Sequence, residues 1–187
     1  MDSNEMSQFQ VPGAPNSGAT SHGLLVGRTV VVTASADTGI GFATARRCAE
    51  EGSRIVISDR HERRLAEAAE SLTEVAGGPP LAIACDVTDP VQVENLFARV
   101  IEEYGSFDVV INNAGLGGTA NVLDMTDEQW HSVLGVTLTG TFLCMRAALR
   151  HLVEQRSGET STTLRSSVGE LRLAKPTTRQ RRPGSWP

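Results

Sequence analysis

Residues 29–41 decide the fold, and they read Thr-Val-Val-Val-Thr-Ala-Ser-Ala-Asp-Thr-Gly-Ile-Gly. The first five form a continuous β-branched run, which is typical of a strand buried on both faces. Two glycines, Gly39 and Gly41, end the turn that follows, and residues 41–51 then have the apolar spacing of a helix. The stretch therefore predicts a buried strand, a glycine-containing turn and a helix, in that order.

The same alternation continues along the chain. Short apolar runs predict further strands, at 54–58, 81–85 and 107–111. Helical spacing predicts helices between and after them, at 62–75, 91–104 and 127 to about 154. Strands that alternate with helices over short connections indicate an α/β fold with a doubly wound parallel sheet.

Composition divides the 187 residues into three parts. Residues 1–25 are polar and without periodicity, which predicts a disordered leader. Residues 26–155 carry the alternating pattern and form the predicted folded domain. Residues 156–187 contain isolated apolar residues among Ser, Thr, Arg, Pro and Gly, so we expect an irregular basic tail from residue 156.

Charge and cysteine content exclude several classes of function. The arginines of the tail lack interleaved aromatic residues and amphipathic spacing, so we expect neither a nucleic-acid nor a membrane partner. The chain has no apolar run of about eighteen residues and no basic secretory leader. Its three cysteines are widely spaced, and its histidines form no ligand pattern, so we expect no disulfide, no metal site and a cytoplasmic location.

The turn after the first strand has the features of a dinucleotide site. Glycines there let the backbone approach a pyrophosphate, and the following helix offers free N–H groups and the positive end of its dipole. Asp59 ends the second strand, where it could accept hydrogen bonds from both ribose hydroxyls and repel a 2′-phosphate. From these residues alone, an ordinary strand-to-helix turn with a solvated Asp59 remains the alternative.

Two further segments carry a family resemblance. Asn112-Asn-Ala-Gly115 follows the fourth strand directly, and Cys85-Asp-Val87 ends the third. Together with Gly39-Ile-Gly41, they make residues 25–155 resemble the short-chain dehydrogenase/reductase family. The resemblance implies a Rossmann-type sheet of order 3-2-1-4-5-6-7, of which this chain would supply strands 3-2-1-4. It also implies a bound NAD or NADP, a carbonyl or alcohol substrate in the intact parent, and usually a homo-oligomer.

The resemblance also implies individual contacts to the cofactor. Asp86 would contact the adenine amine, and residues 112–115 would pass beside the ribose. Asp59 favours NAD over NADP, although the neighbouring Arg60 could hold a 2′-phosphate. The candidate cofactor-binding residues are Thr33, Ser35, Asp37, Thr38, Gly39, Ile40, Gly41, Asp59, Arg60, Asp86, Val87, Asn112, Asn113, Ala114 and Gly115.

The sequence departs from the family pattern at two places. Ala34 and Ser35 stand where the first glycine of the turn is expected, and Thr137 stands where the family usually carries an active-site Asn. The form of the turn, with Ser-Asp-x-His-Glu-Arg-Arg-Leu after it, resembles an actinobacterial subgroup linked to steroid-ring breakdown.

The family's catalytic set is missing from this chain. Hydride transfer in the family uses a Ser, a Tyr thirteen residues later as general acid/base, and a Lys four residues after the Tyr. Tyr104 is the single tyrosine and precedes the fourth strand, while Lys175 has Leu171 four positions before it. We therefore assign no catalytic residue and expect an inactive chain, with a nucleotide-binding pseudoenzyme or a non-functional fragment as alternatives.

The genetic code offers an explanation for the tail. If each codon is read as the third base of one residue and the first two of the next, the junctions 164–165, 177–178 and 181–182 can encode Ser, Tyr and Lys at the family spacing. This pattern predicts a frameshift between about residues 155 and 160, with a genuine basic tail as the alternative. The fourth strand would then have an unpaired edge, and Leu138, Phe142 and Leu149 would be exposed.

Overall fold

The computed structural model describes residues 21–36, 39–117, 120–156 and 158–162. Five parallel strands form one sheet in the order β3-β2-β1-β4-β5. The strands are β1 (Thr29–Thr33), β2 (Arg54–Asp59), β3 (Leu81–Ala84), β4 (Val109–Asn112) and β5 (Glu159–Thr162). The helices are α1 (Ile40–Glu50), α2 (Glu62–Leu72), α3 (Pro90–Tyr104), α4 (Asp127–Leu134) and α5 (Thr141–Gln155), with a π-helical turn at Gly135–Gly140.

The sheet is covered on both faces, which confirms the predicted doubly wound α/β class and the order 3-2-1-4. On one face Val30 and Ile55 pack into a cluster with α1 and α2. On the other, Val31, Phe97 and Phe107 pack with α3 and α5. The β-branched run of β1 is completely buried because its alternate residues enter these two clusters.

Local sequence determines where α3 and α4 begin. The Asp89 carboxylate caps α3 by accepting hydrogen bonds from the Val91 and Gln92 N–H groups at 2.8 and 3.3 Å. Thr126 and Gln129 form a reciprocal capping box at the start of α4. These caps fix the helices that border the carboxyl ends of β3 and β4.

The helical stretch Asp127–Gln155 is continuous over 29 residues. By its length and by the mean hydropathy of 1.5 over an 18-residue window, it is a candidate membrane span within the part of the chain that the structure describes. Its inner face buries Leu143, Cys144 and Ala147 in the core with α3 and β4. Of the apolar window, 28% is buried, so core packing accounts for part of its apolar composition.

Strand β5 corrects the sequence prediction. Residues 159–162 were expected in an irregular tail, yet they pair in register with Val109–Asn112, so the prediction is wrong for these four residues. The stretch has no apolar residue, but its backbone N–H and C=O groups complete the ladder of β4, and threonine suits an extended chain. Gly158, at φ +113°, makes the connection possible, because a Cβ there would contact Leu152 and lie 3.0 Å from the Asp108 carbonyl oxygen.

Strand β4 is consequently an inner strand, and the predicted unpaired edge is also wrong. The predicted exposure of the outer face of the long helix is confirmed, because Leu138, Phe142 and Leu149 are 65%, 55% and 41% exposed. The predicted disordered leader, residues 1–25, is wrong for its last residues, because the His22 and Leu24 N–H groups donate to Oε2 of Glu51 at 2.9 and 3.2 Å and the Leu25 N–H donates to the Glu51 carbonyl oxygen at 3.0 Å. Residues 1–20 and the codon junctions from 164 onward lie outside the described residues.

Candidate functional site

The carboxyl ends of β2, β3 and β4 border a cleft of about 310 Å³, with the turn after β1 in its wall. Parallel α/β sheets bind ligands at this edge, where the strand order reverses. Six of the candidate cofactor residues line the cleft: Asp59, Arg60, Asp86, Val87, Ala114 and Gly115. Asp37 and Thr38 lie outside the described residues.

The first turn carries a backbone conformation that normally belongs to glycine. Ala34, where the family pattern has a glycine, has φ +52° and therefore lies in the left-handed region. For an alanine this conformation costs on the order of 1 kcal/mol. The Ala34 carbonyl oxygen accepts a hydrogen bond from Nδ2 of Asn113 at 2.9 Å, which holds the turn in place.

Gly41 is required by close packing. A Cβ at this position would collide with the Ala34 carbonyl oxygen and with Nδ2 of Asn113. At Gly39, just before α1, a Cβ would meet no atom of the described residues within 4 Å, so these residues leave space beside the helix start. Residues 39–41 thus hold the turn close to the sheet and leave the N-terminus of α1 accessible, as a pyrophosphate needs.

Thr33 and Asn113 join β1 to β4 behind the cleft. Oγ1 of Thr33 accepts hydrogen bonds from the N–H groups of Asn113 and Ala114 at 3.0 and 3.1 Å. The Asn113 side chain returns a bond to the Thr33 carbonyl oxygen at 3.1 Å. Both side chains are buried, so they position the lining residues.

Ser35 connects β1 to β2 in a similar way, through the hydrogen bonds of its hydroxyl group. Its side chain is fully buried, and its hydroxyl donates to the Val32 carbonyl oxygen at 2.9 Å and accepts from the Ser58 N–H at 3.2 Å. The structure therefore directs this hydroxyl into the protein.

Asp59 and Asp86 stand at neighbouring strand ends. Oδ1 of Asp59 accepts the His61 N–H at 3.0 Å, and the Cys85 N–H donates to the Asp59 carbonyl oxygen at 3.0 Å. Oδ1 of Asp86 accepts both the N–H and the hydroxyl of Thr88, at 2.9 and 2.7 Å. Two oriented carboxylates in one cleft can accept hydrogen bonds from hydroxyl and amino groups of a nucleoside.

Several cleft residues are not among the sequence candidates. Ala34, His61, Arg64, Cys85, Leu116 and Val136 also line it. Burial, followed by the nearby Asp86, raises the pKa of the Cys85 thiol to about 11, so it is protonated at neutral pH. Burial likewise raises the pKa of Cys144 to about 12, in agreement with a core position.

Thr137 links the π-helical turn to the loop after β4. Its Oγ1 accepts a hydrogen bond from the Leu116 N–H at 3.2 Å. The π-helical turn widens the helix where this contact is made, and such turns often occur at functional sites. Thr137 therefore fixes the end of the cleft that lies at β4.

Asn112 is the least satisfied polar residue of the site. It is 2% exposed, and neither atom of its side-chain amide has a hydrogen-bond partner among the described residues. Asn112 pairs in register with Thr162, the last residue of β5. The neighbouring Asn113 differs, because its amide nitrogen donates two hydrogen bonds, to the carbonyl oxygens of Thr33 and Ala34.

Comparison with known proteins decides the family. The family model described as short chain dehydrogenase matches residues 28–172. The chain belongs to the short-chain dehydrogenase family. This confirms the resemblance, and the family is one whose members bind NAD(P). A search of the described residues finds no group of His, Cys, Asp and Glu that could hold a metal.

Two curated relatives each match about three quarters of this short-chain dehydrogenase chain. A (5R,7aS)-5-hydroxy-7a-methyl-1-oxo-2,3,5,6,7,7a-hexahydro-1H-indene-carboxyl-CoA reductase from Mycobacterium tuberculosis is 51% identical over 137 residues, which are 73% of this chain and 52% of the relative. An NADP-dependent mannitol dehydrogenase from Alternaria alternata is 41% identical, over 72% of this chain and 51% of its own length. The chain spans about half the length of these curated relatives.

Solved structures agree with this fold. A short chain dehydrogenase from Mycobacterium smegmatis is 48% identical with a TM-score of 0.73, over 76% of this chain and 60% of that one. An alcohol dehydrogenase from Thermococcus sibiricus, complexed with 5-hydroxy-NADP, is 30% identical with a TM-score of 0.67, over 72% and 57% of the two chains.

Proposed function

We propose that this chain binds the adenosine half of NAD(H) in the cleft at the carboxyl ends of its strands. The observation that carries the proposal is the convergence of Asp59, Asp86, Ala114 and Gly115 on one cleft beside the glycine turn. The exclusion of a Cβ at Gly41 and the open space at Gly39 support the fit of a pyrophosphate near α1.

Each group has a role that its chemistry allows. Asp59 accepts hydrogen bonds from the ribose hydroxyls, Asp86 accepts one from the adenine amine, and Ala114 and Gly115 pass beside the cofactor ribose. Thr33, Ser35 and Asn113 position these groups through the hydrogen bonds between strands. When bound, the nicotinamide supplies the hydride chemistry of the family.

We infer a preference for NAD over NADP. A 2′-phosphate at the end of β2 would meet the carboxylate of Asp59, whereas Arg60 and Arg64 in the same cleft would attract it. The carboxylate lies directly at the strand end, which supports NAD. Titration of both cofactors checks this preference, and tighter binding of NADP(H) would overturn it.

We also propose that the 187-residue chain transfers no hydride. It has no Tyr-x-x-x-Lys, and Tyr104 is in the wrong place, because it packs under Arg54 at the amino end of β2, opposite to the cleft. General acid–base assistance is typically worth about 10²–10⁴-fold, so its absence removes measurable turnover. The chain would act as a nucleotide-binding module.

For the intact parent we propose an NAD(P)-dependent oxidoreductase that acts on an alcohol or ketone, steroid- or acyl-derived. The relative from Mycobacterium tuberculosis, a hexahydro-1H-indene-carboxyl-CoA reductase by name, supports a ring-containing acyl substrate. A frameshift between about residues 155 and 160, a leader before residue 21, a tail after residue 162 and a cytoplasmic location remain our proposals. Resequencing of the gene tests the frameshift directly.

An activity assay on two proteins tests the proposal. We expect no oxidation of NADH by the 187-residue chain with any ketone, and turnover by a protein whose reading frame is restored after residue 155. Turnover by the 187-residue chain would mean that another group replaces the tyrosine.

A further inference from the structure

Residues 22–24 lie against the carboxyl end of α1, and we call them the N-terminal strap. Two of its backbone N–H groups, those of His22 and Leu24, donate to Oε2 of Glu51 at 2.9 and 3.2 Å. Glu51 follows α1 directly and is only 5% exposed. Both hydrogen bonds that the strap gives to this end of α1 are therefore accepted by one carboxylate oxygen.

The chain after the strap is attached in a different way. The Leu25 N–H donates to the Glu51 carbonyl oxygen at 3.0 Å, and the Arg54 N–H donates to the Arg28 carbonyl oxygen at 2.8 Å. Leu25 also packs against the apolar cluster between the sheet and α1. Because backbone carbonyl groups do not titrate, loss of the Glu51 charge would free the strap and leave residues 25–28 in place.

The groups around the Glu51 carboxyl favour its ionised form. Arg47 of α1 pairs with Oε1 of Glu51, and Nδ1 of His22 in the strap lies 3.6 Å from the same oxygen. The hydrogen bond from the Leu24 N–H lowers the pKa of Glu51, the His22 N–H and the Arg47 charge act in the same direction, and burial opposes them. The carboxylate is therefore charged at neutral pH.

Two further titratable groups of α1 are close to this contact. Glu50 pairs with Arg46 at 3.1 Å and with Arg47 at 3.2 Å, on the side of α1 away from the strap hydrogen bonds. Burial raises the pKa of the Cys48 thiol, so it is uncharged at neutral pH. Protonation of Glu51 is thus the change that acts on the strap directly, and Glu50 offers a matched control.

We propose that the N-terminal strap is an acid-released element, held to α1 by the ionised carboxylate of Glu51. Hydrogen bonds to a carboxylate are stronger than those to a neutral acid. A carboxyl group whose pKa is lowered in the folded protein stabilises its contacts above its ordinary pKa, and this stabilisation is lost as the pH falls through the lowered value. The strap is attached at neutral pH and is released below about pH 4, which frees the chain up to Leu25.

Nitrogen-15 relaxation of the 187-residue chain tests the strap, because it measures the rigidity of single backbone N–H groups. We expect an order parameter for Leu24 of about 0.85 at neutral pH that falls below about 0.6 at about pH 3, while Val31 in β1 stays rigid. Glu51→Gln removes the charge and should lower the Leu24 order parameter already at neutral pH. Glu50→Gln removes the neighbouring charge and should leave the neutral-pH value unchanged.

A second measurement keeps the test decisive if Glu51→Gln fails to fold. The carbon-13 signal of the Glu51 carboxyl group in the parent chain should titrate with the same midpoint as the loss of order at Leu24, and separate midpoints would overturn the proposal. A rigid Leu24 at about pH 3 would also overturn it. Simultaneous loss of order at Leu24 and Val31 would mean that the whole domain unfolds, and release on raising the pH would assign the contact to His22, so both results contradict the proposal.

Discussion

The inner strands and the border strand β5 are held by different forces. In β1 and β2, valine and isoleucine side chains are completely or almost completely buried against helices on both faces. Strand β5 has the sequence Glu-Thr-Ser-Thr and is held by its backbone ladder to β4, while the nearby outer face of α5 leaves Phe142 and Val153 exposed. The comparison teaches that all but one of the residues that line the cleft come from the strongly packed part, residues 28–117, and that Val136 of the π-helical turn completes it.

The largest expected effect on stability comes from comparing a buried phenylalanine of α3 with an exposed phenylalanine of α5. Phe97 is completely buried and packs against Phe107 at a ring distance of 5.3 Å, so Phe97→Ala should lower the free energy of unfolding by about 3–5 kcal/mol. Phe142 is 55% exposed, and Phe142→Ala should change it by less than about 0.5 kcal/mol. Urea denaturation measures both, and similar losses would contradict the contrast.

A smaller effect separates two neighbouring asparagines. Asn113→Ala removes two side-chain hydrogen bonds that join the turn after β1 to β4, and it should cost about 1–3 kcal/mol of unfolding free energy. Asn112→Ala is the matched control, because its amide makes no hydrogen bond within the described residues and its removal should cost less. Thermal and urea denaturation compare them. A larger loss of unfolding free energy for Asn112→Ala would contradict the conclusion that Asn113 connects the turn after β1 to β4.

Much of the inner sheet could be predicted from sequence, because its signals are local. The apolar runs of β1, β2, β3 and β4 predicted strands within two residues of the observed bounds, and Gly105 and Thr126 are ordinary helix stop and start signals. Strand β5 could not be predicted, because neither its composition nor its periodicity differs from that of a loop. Only the unpaired backbone of β4 makes residues 159–162 extended.

The candidate site was predictable to a similar degree. Asp59 and Asp86 each end a strand, and the carboxyl ends of parallel strands meet at one edge, so their proximity followed from topology. Arg64, Leu116 and Val136 were missed because they come from a helix, a loop and the π-helical turn, with no common motif. Spacing marked Ala34 as unusual, whereas its left-handed backbone is visible only in the structure.

The smallest expected effect on stability concerns Ala34. Ala34→Gly removes the cost of a left-handed alanine, and it should raise the free energy of unfolding by about 0.5–1 kcal/mol. Ala43→Gly, at an exposed position in the first turn of α1, is the matched change in an ordinary helical conformation and should lower the free energy of unfolding by up to about 1 kcal/mol. Chemical denaturation of both variants checks the two signs. The same sign for both would show that Ala34 is unstrained.

Calorimetric titration of NAD⁺ into the 187-residue chain tests the central claim most directly, with Asp59→Ala and Asp89→Ala as the paired variants. Asp89 caps α3 and does not line the cleft, so its variant controls for the loss of an acidic residue. We predict one weak NAD⁺ site whose affinity falls about tenfold in Asp59→Ala, since losing hydrogen bonds to a charged group is worth at least about 1.4 kcal/mol, and stays unchanged in Asp89→Ala. Absence of binding, or equal affinity in all three proteins, would contradict the account.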